Sequence, residues 1–195
     1  MIKFNWKLKD IIMVCIFSVV FSFIYLGAVH LANILATVLA PFGFAPFSYE
    51  ILFGIWFMAA TFVGYIIQKP GVAIVAEVLA AVIEVIMGNM FGPMVILSGI
   101  IQGLGAELIF AKNKYKNFNM PNMCIAALGS SVASFIFGFL RGNLSKYTTI
   151  FLIAMFIVRG ISSIVFAGII SKITADKLAN TGALKGYSLG KNNDI

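Results

Sequence analysis

Charged residues are scarce in this sequence of 195 residues, in which Asp, Glu, Lys and Arg together make up 11%. Soluble domains have about 25% charged and roughly 45–50% apolar residues, whereas 61% of this chain is hydrophobic. A water-soluble fold of this length could not bury so much apolar surface, so we expect lipid to be its main solvent. The net charge of +7 lies in short loops and tails rather than on one face, which argues against a nucleic-acid partner.

Residues that build metal centres and catalytic sites are also rare. The sequence has one histidine and two cysteines, Cys15 and Cys124, which lack the spacing of metal ligands. Both cysteines lie in apolar stretches, which predicts buried, reduced thiols. There is no H-E-x-x-H motif, and "GLGAEL" is no phosphate loop because no lysine and hydroxyl follow it. An intramembrane hydrolase would need a placed nucleophile or a metal, so we expect no enzyme, no metal and no cofactor.

Alternation of apolar and polar residues with a period of two is absent, which argues against a β-barrel. No internal repeat supports an inverted-repeat transporter. A membrane helix needs about 20 mostly apolar residues, and stretches rich in Gly, Pro and Asn mark the breaks between such runs. The pattern predicts an all-α integral membrane protein that forms one domain over residues 1–195. Its six predicted spans are about 11–39, 50–67, 72–88, 93–111, 123–140 and 148–171.

The distribution of lysine and arginine predicts the orientation. With the N-terminus in the cytoplasm, all but three of the 14 Lys and Arg residues fall on cytoplasmic segments. The exceptions are Arg141 and Lys146 in an outer loop and Arg159 within the last span. Because cytoplasmic loops carry the positive excess, we expect a multi-pass protein of the plasma membrane with both termini inside. The residues counted as cytoplasmic are Lys3, Lys7, Lys9, Lys69, Lys112, Lys114, Lys116, Lys172, Lys177, Lys185 and Lys191.

Ionisable residues also occur inside the predicted spans. Glu77 and Glu84 are nearly two helical turns apart on the third span, so both face the same side. Glu77 lies in the inner half, together with Glu107 on the fourth span and Arg159 on the last. A charge at membrane depth costs at least about 2.5–3.5 kcal/mol, so we expect these three residues to form a structural ion pair or triad. A coupling role and a protonated carboxyl are the alternatives.

A second group of polar residues lies in the outer half of the predicted bundle. No lysine or arginine is obviously placed to neutralise Glu84, except Arg141 from a loop. An acidic, aromatic cluster suits a small, flat, cationic ligand, because aromatic faces attract cations and a carboxylate accepts two hydrogens. The alternative is packing polarity with an interfacial aromatic belt. The candidate binding residues are Tyr25, His30, Asn33, Tyr49, Glu50, Trp56, Glu84, Asn89, Ser98 and Gln102.

Four stretches of the chain resemble the YkoE family of substrate-binding (S) components of energy-coupling factor transporters. They are "YEILFGIWFMAA", "QKPGVAIVAEVLAAVIEVIMGN", "GPMVILSGIIQGLGAELIF" and "LANTGALKGYSLGK", and the resemblance covers about residues 8–191. It implies a six-helix bundle that captures thiamin or its hydroxymethylpyrimidine precursor near the outer surface. It further implies a separate membrane coupling subunit and two ABC-type ATPases as partners, and Glu84 as the partner of the aminopyrimidine.

Two other functions remain open at this point. A stand-alone secondary carrier for an organic cation would use the carboxylates as proton or ion relays. A non-transport membrane scaffold would use the polar residues only for helix packing. Transport by the isolated protein would favour the carrier. Normal function of a variant in which both Glu84 and Gln102 are replaced would favour the scaffold.

Overall fold

The computed structural model describes residues 5–142 and 144–191, and all regular secondary structure in these residues is helical. Short 3-10 helices occupy Ala40–Phe42 and Phe53–Phe57, and a π-helix, Ile164–Ile170, joins α7 to α8. The α-helices are α1 (Leu8–Leu39), α2 (Phe47–Leu52), α3 (Met58–Ile67), α4 (Val72–Ile86), α5 (Met94–Lys112), α6 (Met120–Leu140), α7 (Thr149–Ser163), α8 (Ser171–Asn180) and α9 (Ser188–Lys191).

Five helical stretches are long and apolar enough to cross a membrane. They are Leu8–Phe42, Phe47–Ile67, Met94–Lys112, Met120–Leu140 and Thr149–Asn180. The all-helical class is thereby confirmed, and each of these stretches overlaps a predicted span. The remaining predicted span, about 72–88, corresponds to α4, whose 15 residues rise only ~22 Å. Six crossings and cytoplasmic termini therefore stay predictions, and Lys3 lies outside the described residues.

The second predicted span is not one continuous helix. It consists of α2, the 3-10 helix Phe53–Phe57 and α3. The backbone N–H of Gly54 donates to Ser162 Oγ on α7 at 3.0 Å. A Cβ at Gly54 would lie 2.2 Å from the Ser162 carbonyl oxygen, so only glycine allows this contact with α7. The last predicted span, in contrast, continues beyond residue 171 to Asn180.

The buried centre of the bundle is α3, in which every residue from Ala59 to Ile67 is buried. The outer helices expose large apolar side chains, such as Ile11, Phe23 and Ile34 on α1, as expected for surfaces that face lipid. Since lipid is as apolar as the side chains themselves, helices associate in membranes through close packing of small residues. Gly99 and Gly103 of α5 lie against α4 in this way.

Both ends of the described chain meet at one end of the bundle, which we call the terminal end. Trp6 Nε1 donates to the carbonyl of Pro70 at 2.9 Å, and Lys69 Nζ lies 2.6 Å from Asp10 Oδ2. The Tyr187 hydroxyl donates to the carbonyl of Lys9 at 2.9 Å. We call the opposite end, where α4 ends and α5 begins, the cavity end.

The expected triad of Glu77, Glu107 and Arg159 is wrong. Arg159 instead forms a buried, two-pronged ion pair with Glu50, with Nη2 at 2.7 Å from Oε1. Arg159 Nη1 also donates to Ser134 Oγ at 3.1 Å. Depth along a helix does not say which way a side chain points, and the break in the second span carries Glu50 toward α7.

Glu107 stabilises the start of α4 from a neighbouring helix. Its carboxylate accepts the backbone N–H groups of Gly71 at 2.6 Å and Ala73 at 3.1 Å, which have no acceptor within the first turn of α4. The Tyr115 hydroxyl donates to the same carboxylate at 2.6 Å. Burial first, and Glu107 second, raise the pKa of Tyr115 above its ordinary value, so the phenol keeps its proton and donates.

The two cysteines are free, as expected. The prediction that both are buried is wrong, however, because Cys15 is exposed on α1 and Cys124 is only partly buried. A single apolar helix in lipid has an exposed side, so an apolar neighbourhood in the sequence does not imply burial in protein.

Candidate ligand-binding site

A cavity of about 440 Å³ lies at the cavity end of the bundle. This volume falls within the range of roughly 300–1,000 Å³ that small-molecule sites occupy. Its wall is mostly apolar and aromatic, and it carries a few polar groups that converge on the interior. The lining residues are Tyr25, Tyr49, Phe53, Trp56, Glu77, Ala81, Glu84, Asn89, Phe91, Met94, Val95, Ser98, Gln102 and Arg141.

Glu77 and Tyr25 form the buried floor of the cavity. The Tyr25 hydroxyl accepts the backbone N–H of Ala59 at 3.0 Å and donates to Glu77, 3.0 Å from Oε1. Glu77 Oε2 accepts the N–H of Ala60 at 2.9 Å. Ala59 and Ala60 are in the first turn of α3, whose N–H groups lack partners within the helix. The floor therefore joins α1, α3 and α4, and the positive end of the α3 dipole favours a negative charge on Glu77.

Glu84 lies higher in the cavity, in the last turn of α4. Its side chain is fully buried, and Oε1 accepts a hydrogen bond from Asn89 Nδ2. The other oxygen, Oε2, is buried without a hydrogen-bond partner among the described residues. The Trp56 indole approaches the carboxylate but does not meet hydrogen-bond geometry. The negative end of the α4 dipole also disfavours a negative charge here, and no ion pair among the described residues compensates this carboxylate.

Aromatic rings form one side of the cavity. Tyr49 stacks on Trp56 with centroids 6.1 Å apart and planes 24° apart. Phe91 meets Tyr49 edge-on at 5.7 Å, and Phe53 meets Trp56 edge-on at 5.8 Å. The Tyr49 hydroxyl donates to Asn33 Oδ1 of α1 at 2.6 Å, which holds the ring in place. Such a wall suits a flat or cationic ring.

The other side of the cavity is polar and leads to α5 and α6. Gln102 is buried on α5, and Ser98 is partly buried one turn before it. Arg141 is exposed where α6 ends. The cavity thus has acidic groups inside, a basic group near solvent and an amide between them.

Seven of the candidate residues line the cavity, and three do not. Asn33 lies behind Tyr49 and bonds its hydroxyl. His30 is exposed on α1, and Glu50 is held by Arg159. The seven lining residues are Tyr25, Tyr49, Trp56, Glu84, Asn89, Ser98 and Gln102.

The cavity also contains residues that the candidate set left out. The spacing of Glu77 and Glu84 places both carboxylates on one face of α4, and both line the cavity. Phe53 is three residues before Trp56, a helical spacing that would have indicated it. Phe91 and Met94 lie where α4 gives way to α5, a position for which periodicity offers no signal.

Comparison with known proteins gives consistent matches over most of the chain. Residues 9–133 match the family model of the ABC-type cobalt transport system, permease component. The chain is 42% identical over 187 residues to YkoE of Bacillus subtilis (strain 168), which is provisionally described as an HMP/thiamine permease protein. That match covers 96% of this chain and 92% of its relative.

A solved structure agrees with this relationship. The crystal structure of an S-component of an ECF transporter superposes with a TM-score of 0.92 at 41% identity, covering 97% of this chain and 94% of the other. These relatives are transport components and not enzymes. Sequence and fold together show that the chain belongs to the YkoE family of S components of energy-coupling factor transporters.

Proposed function

We propose that this protein is the substrate-binding component of a vitamin importer and that its ligand is thiamin or the hydroxymethylpyrimidine precursor of thiamin. The name of the Bacillus subtilis relative supports this ligand class. The chain would capture the vitamin in the cavity and deliver it with a separate membrane coupling subunit and ABC-type ATPases. Its own residues 1–195 would form one membrane domain without a cofactor.

The observation that carries the proposal is the unsatisfied carboxylate oxygen of Glu84 in the cavity. A buried acceptor without a donor costs about 1–3 kcal/mol, so a ligand that supplies an N–H removes this cost on binding. An aminopyrimidine has an exocyclic amino group and ring nitrogens, and its plane matches the carboxylate. Asn89, Gln102 and Ser98 would complete the hydrogen bonds around the ring.

The aromatic side of the cavity suits the thiazolium ring, which is the second half of thiamin. A thiazolium is a permanent cation, and cations gain about 0.5–2 kcal/mol over an aromatic face. Tyr49 and Trp56 offer such faces, and Glu77 at the floor adds a second carboxylate. Hydroxymethylpyrimidine lacks the cation and would rely on the hydrogen bonds of its ring to Glu84 and the polar groups around it.

The proposal includes an orientation. Six crossings with both termini in the cytoplasm would direct the cavity end to the outside, where a vitamin is captured. The lysines support this arrangement, since Lys9, Lys69 and Lys172 all lie toward the terminal end, as the excess of positive charge inside requires. Single cysteines introduced near residues 5 and 90 would test this orientation, since labelling from each side of the membrane shows on which side each position is accessible.

The experiment that tests the ligand is calorimetry of the purified protein with thiamin and with hydroxymethylpyrimidine, before and after Glu84→Gln. A lost charge-assisted hydrogen bond amounts to about 1.5–3 kcal/mol, so we expect the affinity to fall by about 10- to 100-fold. Asp176→Asn is the matched control, because Asp176 bonds Tyr65 and Lys172 away from the cavity. Absence of binding by the unmodified protein, or equal binding by the Glu84 variant, would refute the assignment.

A further inference from the structure

We propose, resting on the proposed function, that a side chamber of the cavity binds an anionic substituent of the ligand, so that phosphate monoesters of the vitamin are bound as well as the parent compounds. The chamber is a separate space of about 130 Å³ between α5, α6 and α7. It shares Phe53, Ser98, Gln102 and Arg141 with the main cavity. The two spaces are therefore adjacent, and the proposal requires that a substituent of the ligand pass between these shared side chains.

Size limits what the chamber holds. A water molecule takes about 30 Å³ in the liquid, so the chamber has room for a group of a few heavy atoms. A phosphoryl group has this size. It also has the charge, about −1.5 to −2 near pH 7, that the walls of the chamber complement.

Arg159 is the deep basic residue of the chamber. The whole residue is only 3% exposed, and its guanidinium stacks on Phe53 with a centre-to-centroid distance of 3.7 Å. An arginine has five N–H donors, and bonds to Glu50 and Ser134 use three of them. The two remaining N–H groups, one on Nη1 and one on Nη2, have no hydrogen-bond partner among the described residues, and Arg159 lines the chamber.

Arg141 is the second basic residue, and it differs from Arg159 in having no ion pair among the described residues. Its guanidinium lies 5.6 Å from the centroid of Phe137, a weak contact at an exposed position. Arginine binds phosphate oxygens through paired N–H groups. Since Arg141 lines both spaces, it is placed to hold an anion at their junction.

The two spaces differ in charge. Glu77 and Glu84 line the main cavity, Arg141 lies where the two spaces meet, and Arg159, which is paired with Glu50, lines the side chamber. For a cationic vitamin alone, a nearby arginine is unfavourable. For a ligand with a cationic or N–H-rich ring at one end and a phosphate at the other, both ends meet an opposite charge.

The test measures the affinity of the full-length protein for thiamin and its monophosphate, and for hydroxymethylpyrimidine and its phosphate. We expect each ester to bind at least as tightly as its parent. In Arg141→Gln we expect the ratio of ester affinity to parent affinity to fall by about tenfold. Because a ratio is compared, any effect of the substitution that is common to both ligands cancels. Arg141→Lys should restore part of the ratio, because it restores the charge. Lys146→Gln is the matched control, a loop cation outside both spaces, and should leave the ratio unchanged.

Other outcomes overturn the inference. A parent that binds while its ester binds more than tenfold weaker would refute the chamber and leave the proposed function intact, whereas failure of all four compounds would refute both. An unchanged ratio in Arg141→Gln would also refute it. Tighter binding of the parent on addition of inorganic phosphate would assign the chamber to a free anion instead of the ligand's own substituent.

Discussion

Four buried glutamates show how single residues in this protein resolve the same physical problem. A carboxylate surrounded by apolar groups is unfavourable unless a donor or a positive charge lies next to it. Glu50 has Arg159, Glu77 has Tyr25 and the start of α3, and Glu107 has the start of α4. Glu84 alone of the four keeps an oxygen without a partner, which is why it is the residue assigned to ligand binding.

The pair of Glu50 and Arg159 gives a prediction at the residue scale. Glu50→Gln leaves a buried guanidinium uncompensated, and breaking such a pair costs about 3–5 kcal/mol. We expect a clear fall in the thermal unfolding temperature of the purified protein. The double variant Glu50→Gln, Arg159→Met should be more stable than the single variant, since no charge stays buried alone. A double variant that is less stable than the single one would show that the two residues are not energetically coupled as the structure indicates.

At the scale of helices, backbone contacts at glycines decide how the elements meet. The glycines of "SGIIQGLGAE" on α5 let this helix approach its neighbours closely. Gly99 and Gly103 face α4, where a Cβ would lie 2.9 Å from the Ala81 Cβ and 2.8 Å from the Ile74 Cα. Gly105 faces α6, where the carbonyl oxygen of Gly129 would lie 2.5 Å from an added Cβ. One helix thus packs against two partners and carries Gln102 into the cavity.

This packing predicts that Gly105→Ala destabilises the bundle. The Gly129 and Ser130 backbone cannot move aside like a flexible side chain, so α5 and α6 must separate. We expect overpacking to cost about 1–3 kcal/mol, measured as a lower unfolding temperature. Gly27→Ala is the control, because nothing lies within 4 Å of its added Cβ and alanine favours a helix by roughly 0.5–1 kcal/mol. Equal behaviour of the two variants would contradict the close contact.

At the scale of the whole molecule, the cavity lies at one end of the bundle and both ends of the described chain lie at the other. The chain belongs to a family of S components, and the proposed function places ATP hydrolysis on other subunits. Under that proposal, an occupied cavity would be signalled to those subunits through the helices that line it. α4 is suited to this, because Glu107 holds one end of it and Glu84 lies near the other.

We therefore predict that the protein alone in liposomes binds its vitamin but does not accumulate it, with or without a proton gradient. Co-reconstitution with its coupling subunit and ATPases, supplied with ATP, should give accumulation. Accumulation is measured as radiolabelled ligand inside the vesicles. Vesicles that contain the complete transporter but no ATP serve as the control. Accumulation driven by a proton gradient in the protein alone would instead establish a stand-alone carrier.

The sequence alone determined the membrane class, the helical segments and the common face of Glu77 and Glu84, because these follow from composition and from the period of one helix. The tertiary structure decided the rest. It interrupted the second span with the 3-10 helix Phe53–Phe57, turned Glu50 to Arg159 and placed Asn33 behind Tyr49. It also left the His30 side chain exposed on the surface of the bundle. Each of these depends on the rotation of one helix relative to its neighbours, which packing between distant residues determines and which no local pattern encodes.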